Sequence, residues 1–152
     1  MQQERDLVNS LLSRYWAGRT LPIDPFEIAS MVGLRIAPIF DASGWYKAQE
    51  RTIYFNPTEP LVRQRFTVAH ELGHHFLNHG DRPRDSAPQF STTADPIEAQ
   101  ANRFAAELLM PAGSVRLLIV DHKVADISTL AQYFNVSEIA MKYRLMNLGY
   151  LR

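Results

Sequence analysis

His70-Glu71-Leu72-Gly73-His74 places two imidazoles and a carboxylate within five residues. On a helix, positions i and i+4 lie one turn apart on the same face, so His70 and His74 can grip one ion of zinc size. Glu71 lies about 100° around from His70 and about 60° from His74, at ~3.6 residues per turn. It flanks the ion without taking a ligand position, which suits a general base acting on the ion's water. The surrounding residues are apolar, and two histidines and a glutamate are poor core residues there. Gly73 costs about 1 kcal/mol against Ala in a helix interior. Close approach of another backbone would account for it.

A catalytic zinc site usually has three protein ligands and an open position. No histidine follows His74 at long-motif spacing, so the third ligand is expected to be a carboxylate. Asp85, Asp95, Glu98 and Glu107 are the candidates. Glu98 leads modestly because it begins a helix, although in Asp95-Pro96-Ile97-Glu98 it also fits a capping box. Glu107 is nine positions further on, about 180° around the helix, so the two cannot face one ion. Asn102 is one turn beyond Glu98 and can orient a ligand histidine, with helix-surface hydrogen bonding as the alternative. His75 and His79 read as surface or packing histidines, and Tyr46 and Tyr54 as strand-packing residues. Any of the four is a possible electrophile toward a substrate carbonyl, and none is assigned that role.

The stretch Arg65-Phe66-Thr67-Val68-Ala69-His70-Glu71-Leu72-Gly73-His74-His75, followed by Glu98-Ala99-Gln100-Ala101-Asn102-Arg103-Phe104-Ala105-Ala106-Glu107-Leu108-Leu109-Met110-Pro111, resembles the ImmA/IrrE family of bacterial and phage metallopeptidases. In that family the E-x-x-A-N-x-F-A segment carries the third ligand, which falls on Glu98. The gap from His74 to Glu98 is also similar to that of thermolysin-like enzymes, which use a glutamate. Many family members have a second glutamate where this chain has Gln100, a departure expected to leave the metal untouched. The resemblance implies a zinc-dependent endopeptidase that cuts a helix-turn-helix transcriptional repressor, usually encoded next door, and so relieves repression of a mobile element or stress regulon. The competing reading is a regulatory module that grips a repressor or antitoxin without cutting it. Two histidines and a carboxylate suit Zn2+, and Mn2+ is an alternative.

These residues need a rigid frame. The chain has 152 residues, 46% hydrophobic and 21% charged, which fits one soluble domain over 1–152. Lys+Arg and Asp+Glu are both 16, so no net field draws it to DNA or an anionic membrane. Arg63, Arg65, Arg82 and Arg84 read as a solvated charged face. There is no cysteine, which excludes thiolate ligands, thiol nucleophiles and disulfides. No stretch has signal-peptide or membrane-span character, so the expected compartment is the cytoplasm.

Apolar periodicity predicts a first helix over 3–17. Asp24-Pro25-Phe26-Glu27 is a helix start, and Gly33 a stop. Segments 34–40, 44–48 and 51–56 read as strands, the first at an edge or bulge because of Pro38. The expected fold is α+β and gluzincin-like: a small antiparallel three-stranded sheet carrying a metal helix over 60–78, with helices around it. The 51–56 strand is expected to present a free edge to which an extended substrate adds. A polar surface loop covers 81–94, and a helix opened by Asp95-Pro96 runs to Met110. Further helices follow over 114–120, 128–134 and 137–148. The last two resemble a helix-turn-helix, but they offer few polar residues for base edges. They read as a hairpin, about 125–150, packed on the same domain.

Overall fold

Helix starts form where their caps are encoded. In the computed structural model, which describes residues 2–81 and 95–152, Asp24 accepts hydrogen bonds from the backbone N–H of Phe26 and Glu27 at 3.0 and 3.4 Å. Pro25 supplies the preset first turn of helix α2 (Pro25–Val32), and Gly33 ends it at φ +93°. Before it, α1 (Gln2–Tyr15) buries Val8 and Leu11 against the core. The expected 81–94 loop, with Arg82, Arg84 and the rival ligand Asp85, lies outside the described residues except for Asp81.

Three strands follow: β1 (Arg35–Pro38), β2 (Gly44–Lys47) and β3 (Thr52–Phe55). The β2–β3 hairpin is antiparallel, but the strand order is β1-β3-β2 and β1 pairs with β3 in parallel. The sheet is therefore mixed, which corrects the expectation of an antiparallel sheet. It also removes the expected free edge at 51–56, because β3 is the central strand. Strand chemistry is compatible with the order. Thr52-Ile53-Tyr54-Phe55 is made of β-branched and aromatic residues, with Thr52 and Ile53 buried, and suits a strand paired on both sides. Pro38, which has no N–H to donate, sits at the end of edge strand β1. The other edge is β2.

Helix α3 (Leu61–Phe76) packs on this sheet through Phe66, Val68, Ala69 and Leu72, all at most 1% exposed. Helix α4 (Pro96–Leu109) crosses α3, its N-terminus capped by Asp95. The chain continues through α5 (Ala112–Arg116) and a wider π turn at Leu117–Asp121. Helices α6 (Ile127–Phe134) and α7 (Glu138–Asn147) are capped by Asp126 and Ser137 and turn through Asn135 at φ +52°. Phe134, Met141 and Leu145 of this hairpin belong to the same buried cluster as α3 and α4.

Two buried cations tie the pieces together. Arg65 does not lie on a solvated face: its guanidinium donates to the carbonyls of Ile23, Phe134 and Asn135 at 2.8–3.1 Å. Arg144 of α7 pairs with Glu107 of α4 at 2.9 Å and donates to the Met110 carbonyl at 3.0 Å. Among the described residues, no helix is long and apolar enough to cross a membrane.

Candidate metal centre

The middle of α3 is buried on every side. His70, Glu71 and His74 are 2%, 0% and 0% exposed, and their ligand atoms lie within 4.8 Å of one another. Burying three such groups is expensive unless they share partners or an ion.

Gly73 explains how a second helix reaches them. A Cβ there would lie 3.2 Å from both the Ala101 Cα and its carbonyl oxygen, and 3.1 Å from the Phe104 ring. The two helix backbones therefore meet at this residue, as its cost in a helix interior suggested. The crossing sets the first turn of α4 over the imidazoles. Glu98 Oε1 lies 3.1 Å from His70 Nε2, and Glu98 Oε2 lies 3.2 Å from His74 Nε2. The two Nε2 atoms are 3.1 Å apart. Burial alone would raise the pKa of Glu98, but hydrogen bonds and charge from His70 and His74 outweigh it and hold the carboxyl well below the usual range.

These separations fit a metal. An ion with bonds of about 2.0–2.1 Å sets tetrahedral ligands about 3.3–3.4 Å apart. The two Nε2 atoms, 3.1 Å apart, and the two Glu98 oxygens, each 3.1–3.2 Å from one of them, come close to those ligand separations. Nitrogen and oxygen donors of this type suit zinc and, less selectively, manganese.

The two rival carboxylates among the described residues, Asp95 and Glu107, have partners of their own. Asp95 accepts from the backbone N–H of Ile97 and Glu98 at 2.9 and 3.4 Å. Glu107 is held by Arg144 and by Arg5 of α1, at 2.9 and 3.2 Å. Asn102 comes to His70: its Oδ1 is 2.7 Å from His70 Nδ1, on the side of the ring away from Glu98. His79 is drawn in as well, its Nδ1 lying 2.8 Å from His74 Nδ1, while its Nε2 faces Gln100 Oε1 at 2.8 Å. Sequence reasoning left His79 as a surface or packing residue. Its position five residues after His74 was the one available signal. Tyr46 and His75 pair at 2.6 Å between the phenol oxygen and Nδ1. Burial raises the Tyr46 pKa and lowers that of His75. Tyr54 is on the central strand, its hydroxyl donating to Glu50 at 2.8 Å.

Gly44, at the start of β2, was not singled out from the sequence. A Cβ there would sit 2.3 Å from Thr67 Cγ2, 2.9 Å from Glu71 Oε2 and 3.2 Å from the Tyr54 carbonyl. Only a residue without a side chain lets the edge strand lie this close to Glu71. Gly44→Ala is expected to destabilise the fold by about 1–3 kcal/mol, the usual cost of overpacking. Urea unfolding midpoints equal to wild type would refute the close approach.

A histidine-bearing helix laid on a small sheet and crossed by a glutamate-bearing helix defines a metallopeptidase-type fold. Within that class, residues 37–146 match the IrrE N-terminal-like domain, and the chain belongs to the ImmA/IrrE metallopeptidase family. It is 31% identical over 91 residues to the metallopeptidase ImmA of Bacillus subtilis (strain 168), a match covering 60% of this chain and 54% of that protein. It is 32% identical over 97 residues to the uncharacterized immunity region protein 2 of Bacillus phage phi105, covering 58% of this chain and 59% of that one. The chain thus spans a little over half the length of these relatives. A solved Mycobacterium tuberculosis transcriptional regulator shares the fold, with TM-score 0.68 at 14% identity over 95% of this chain and 46% of that chain.

Proposed function

We propose that the chain is a zinc-dependent endopeptidase that cuts a helix-turn-helix transcriptional repressor encoded nearby. The observation that carries this reading is the convergence of His70, His74 and Glu98, with the Glu71 carboxylate beside them. The three would hold the metal and Asn102 would orient His70. A zinc ion held there would supply Lewis acidity toward the attacking water and the scissile carbonyl. Glu71 takes the proton from the attacking water and passes it to the leaving amine. The closeness of Glu71 to Gly44, at the start of β2, supports a substrate path along that strand. An extended substrate segment adding to β2 would then run past Glu71, held by main-chain hydrogen bonds.

The names of two relatives, a metallopeptidase and a phage immunity region protein, accord with removal of a repressor. The test is the mass of the repressor from the neighbouring gene after incubation with the zinc-loaded protein. Two fragments from one bond in a segment able to become extended are expected. An intact repressor, with metal content verified and binding demonstrated, would replace the enzyme with a binding module. A cut inside a stably folded helix would exclude docking on β2.

A further inference from the structure

The structure points to a second role for α4, through a residue pair outside the ligand set. We propose that His79 and Gln100 are positioning residues for His74, relaying a fixed hydrogen-bond direction from α4 into that imidazole. The inference rests on the metal reading, because it begins from which nitrogen of His74 faces the ion.

His74 Nε2 faces the cluster, 3.1 Å from His70 Nε2 and 3.2 Å from Glu98 Oε2. A neutral imidazole that coordinates through Nε2 carries its proton on Nδ1. That proton points at His79 Nδ1, 2.8 Å away. Two nitrogens at this distance share one proton, so His79 Nδ1 is the acceptor and its own proton sits on Nε2. There, Gln100 Oε1 lies 2.8 Å away and accepts it. The chain His74 to His79 to Gln100 has only one consistent proton assignment once His74 coordinates. His70 is served differently, with Asn102 Oδ1 directly on its Nδ1 at 2.7 Å. Glu98, Gln100 and Asn102 all belong to α4, so one helix provides the carboxylate and sets the ring orientation of both histidines. An imidazole acceptor also makes His74 a more basic ligand than an unassisted ring.

The test uses the full chain, zinc affinity by chelator competition and the visible spectrum of the Co2+-loaded protein. His79→Phe removes the acceptor and is expected to weaken zinc binding about 10- to 100-fold and to alter the Co2+ spectrum. His79→Asn places an acceptor oxygen where Nδ1 stood and should restore most of the affinity. Gln100→Leu should weaken binding in the wild-type background and have little effect in His79→Asn, whose shorter amide places no donor at the Nε2 position that faces Gln100. A packing role predicts instead that Gln100→Leu costs the same in both backgrounds. That result, or wild-type affinity and spectrum in His79→Phe, overturns the relay while leaving the metal reading intact. Should His79→Phe not fold, the Gln100→Leu pair decides. Failure of the wild-type protein to bind zinc or Co2+ overturns both readings.

Discussion

Glu71→Gln is expected to bind one metal per chain, to bind the proposed repressor substrate, and to cut it about 10²–10⁴-fold more slowly than wild type. The side chain is fully buried in the same group as His70 and His74, yet it is Glu98 that sets one oxygen against each Nε2, at 3.1 and 3.2 Å. Glutamine keeps the shape and one carbonyl oxygen but cannot accept a proton. The site should therefore assemble and stall. Losing delivery of the proton to the leaving amine adds to the loss in attack, so the upper end of the range is the better expectation. The complex with repressor should persist, because the bond that would release it stays intact. Metal analysis and repressor mass, read together, check this. Equal cleavage by both proteins removes Glu71 from the mechanism.

Glu98→Ala should lose stoichiometric metal. It deletes a carboxylate that faces both imidazoles, at 3.1 and 3.2 Å. Two histidines alone make an incomplete site. Asp95→Ala is the matched control on the same helix turn: it should lose about 1 kcal/mol of stability with its cap and retain metal. Glu107→Ala is a different kind of control. It leaves the Arg144 guanidinium buried without its carboxylate, and breaking such a pair costs about 3–5 kcal/mol without touching the metal. Full metal occupancy in purified Glu98→Ala protein would end its assignment as third ligand.

Local chemistry was legible in the sequence wherever a few neighbouring residues decide it. His70 and His74 share a helix face because one turn separates them, and Asp24 and Asp95 start helices because each precedes a proline at the first helical position. Glu98 led its rivals only modestly from its place at a helix start, and it was the resemblance that singled it out. Its approach to the imidazoles depends on the α3–α4 crossing, for which Gly73 was the sole local sign. Strand order was not legible. The turn at 48–51 dictates an antiparallel hairpin but not which of its strands docks beside β1. The same limit hid the pairing of His79 with Gln100, 21 positions apart, and the buried role of Arg65, whose residue type suggests surface. Each depends on distant segments meeting.

Arg65 and the Glu107–Arg144 pair also decide how the molecule can loosen. Parting α4 from α7 would break Glu107 from Arg144, and fraying the α6–α7 turn would leave the buried Arg65 guanidinium without the carbonyls of Phe134 and Asn135. Either opening strands a charge in a low-dielectric interior and so costs a large fraction of a domain's global stability. Helices α3, α4, α6 and α7 should therefore exchange their amide protons as one cooperative unit. Strand β2, at an edge of the sheet among the described residues, belongs to the more labile periphery. Breathing motions would then expose the flank beside Glu71 while the histidine pair stays in register.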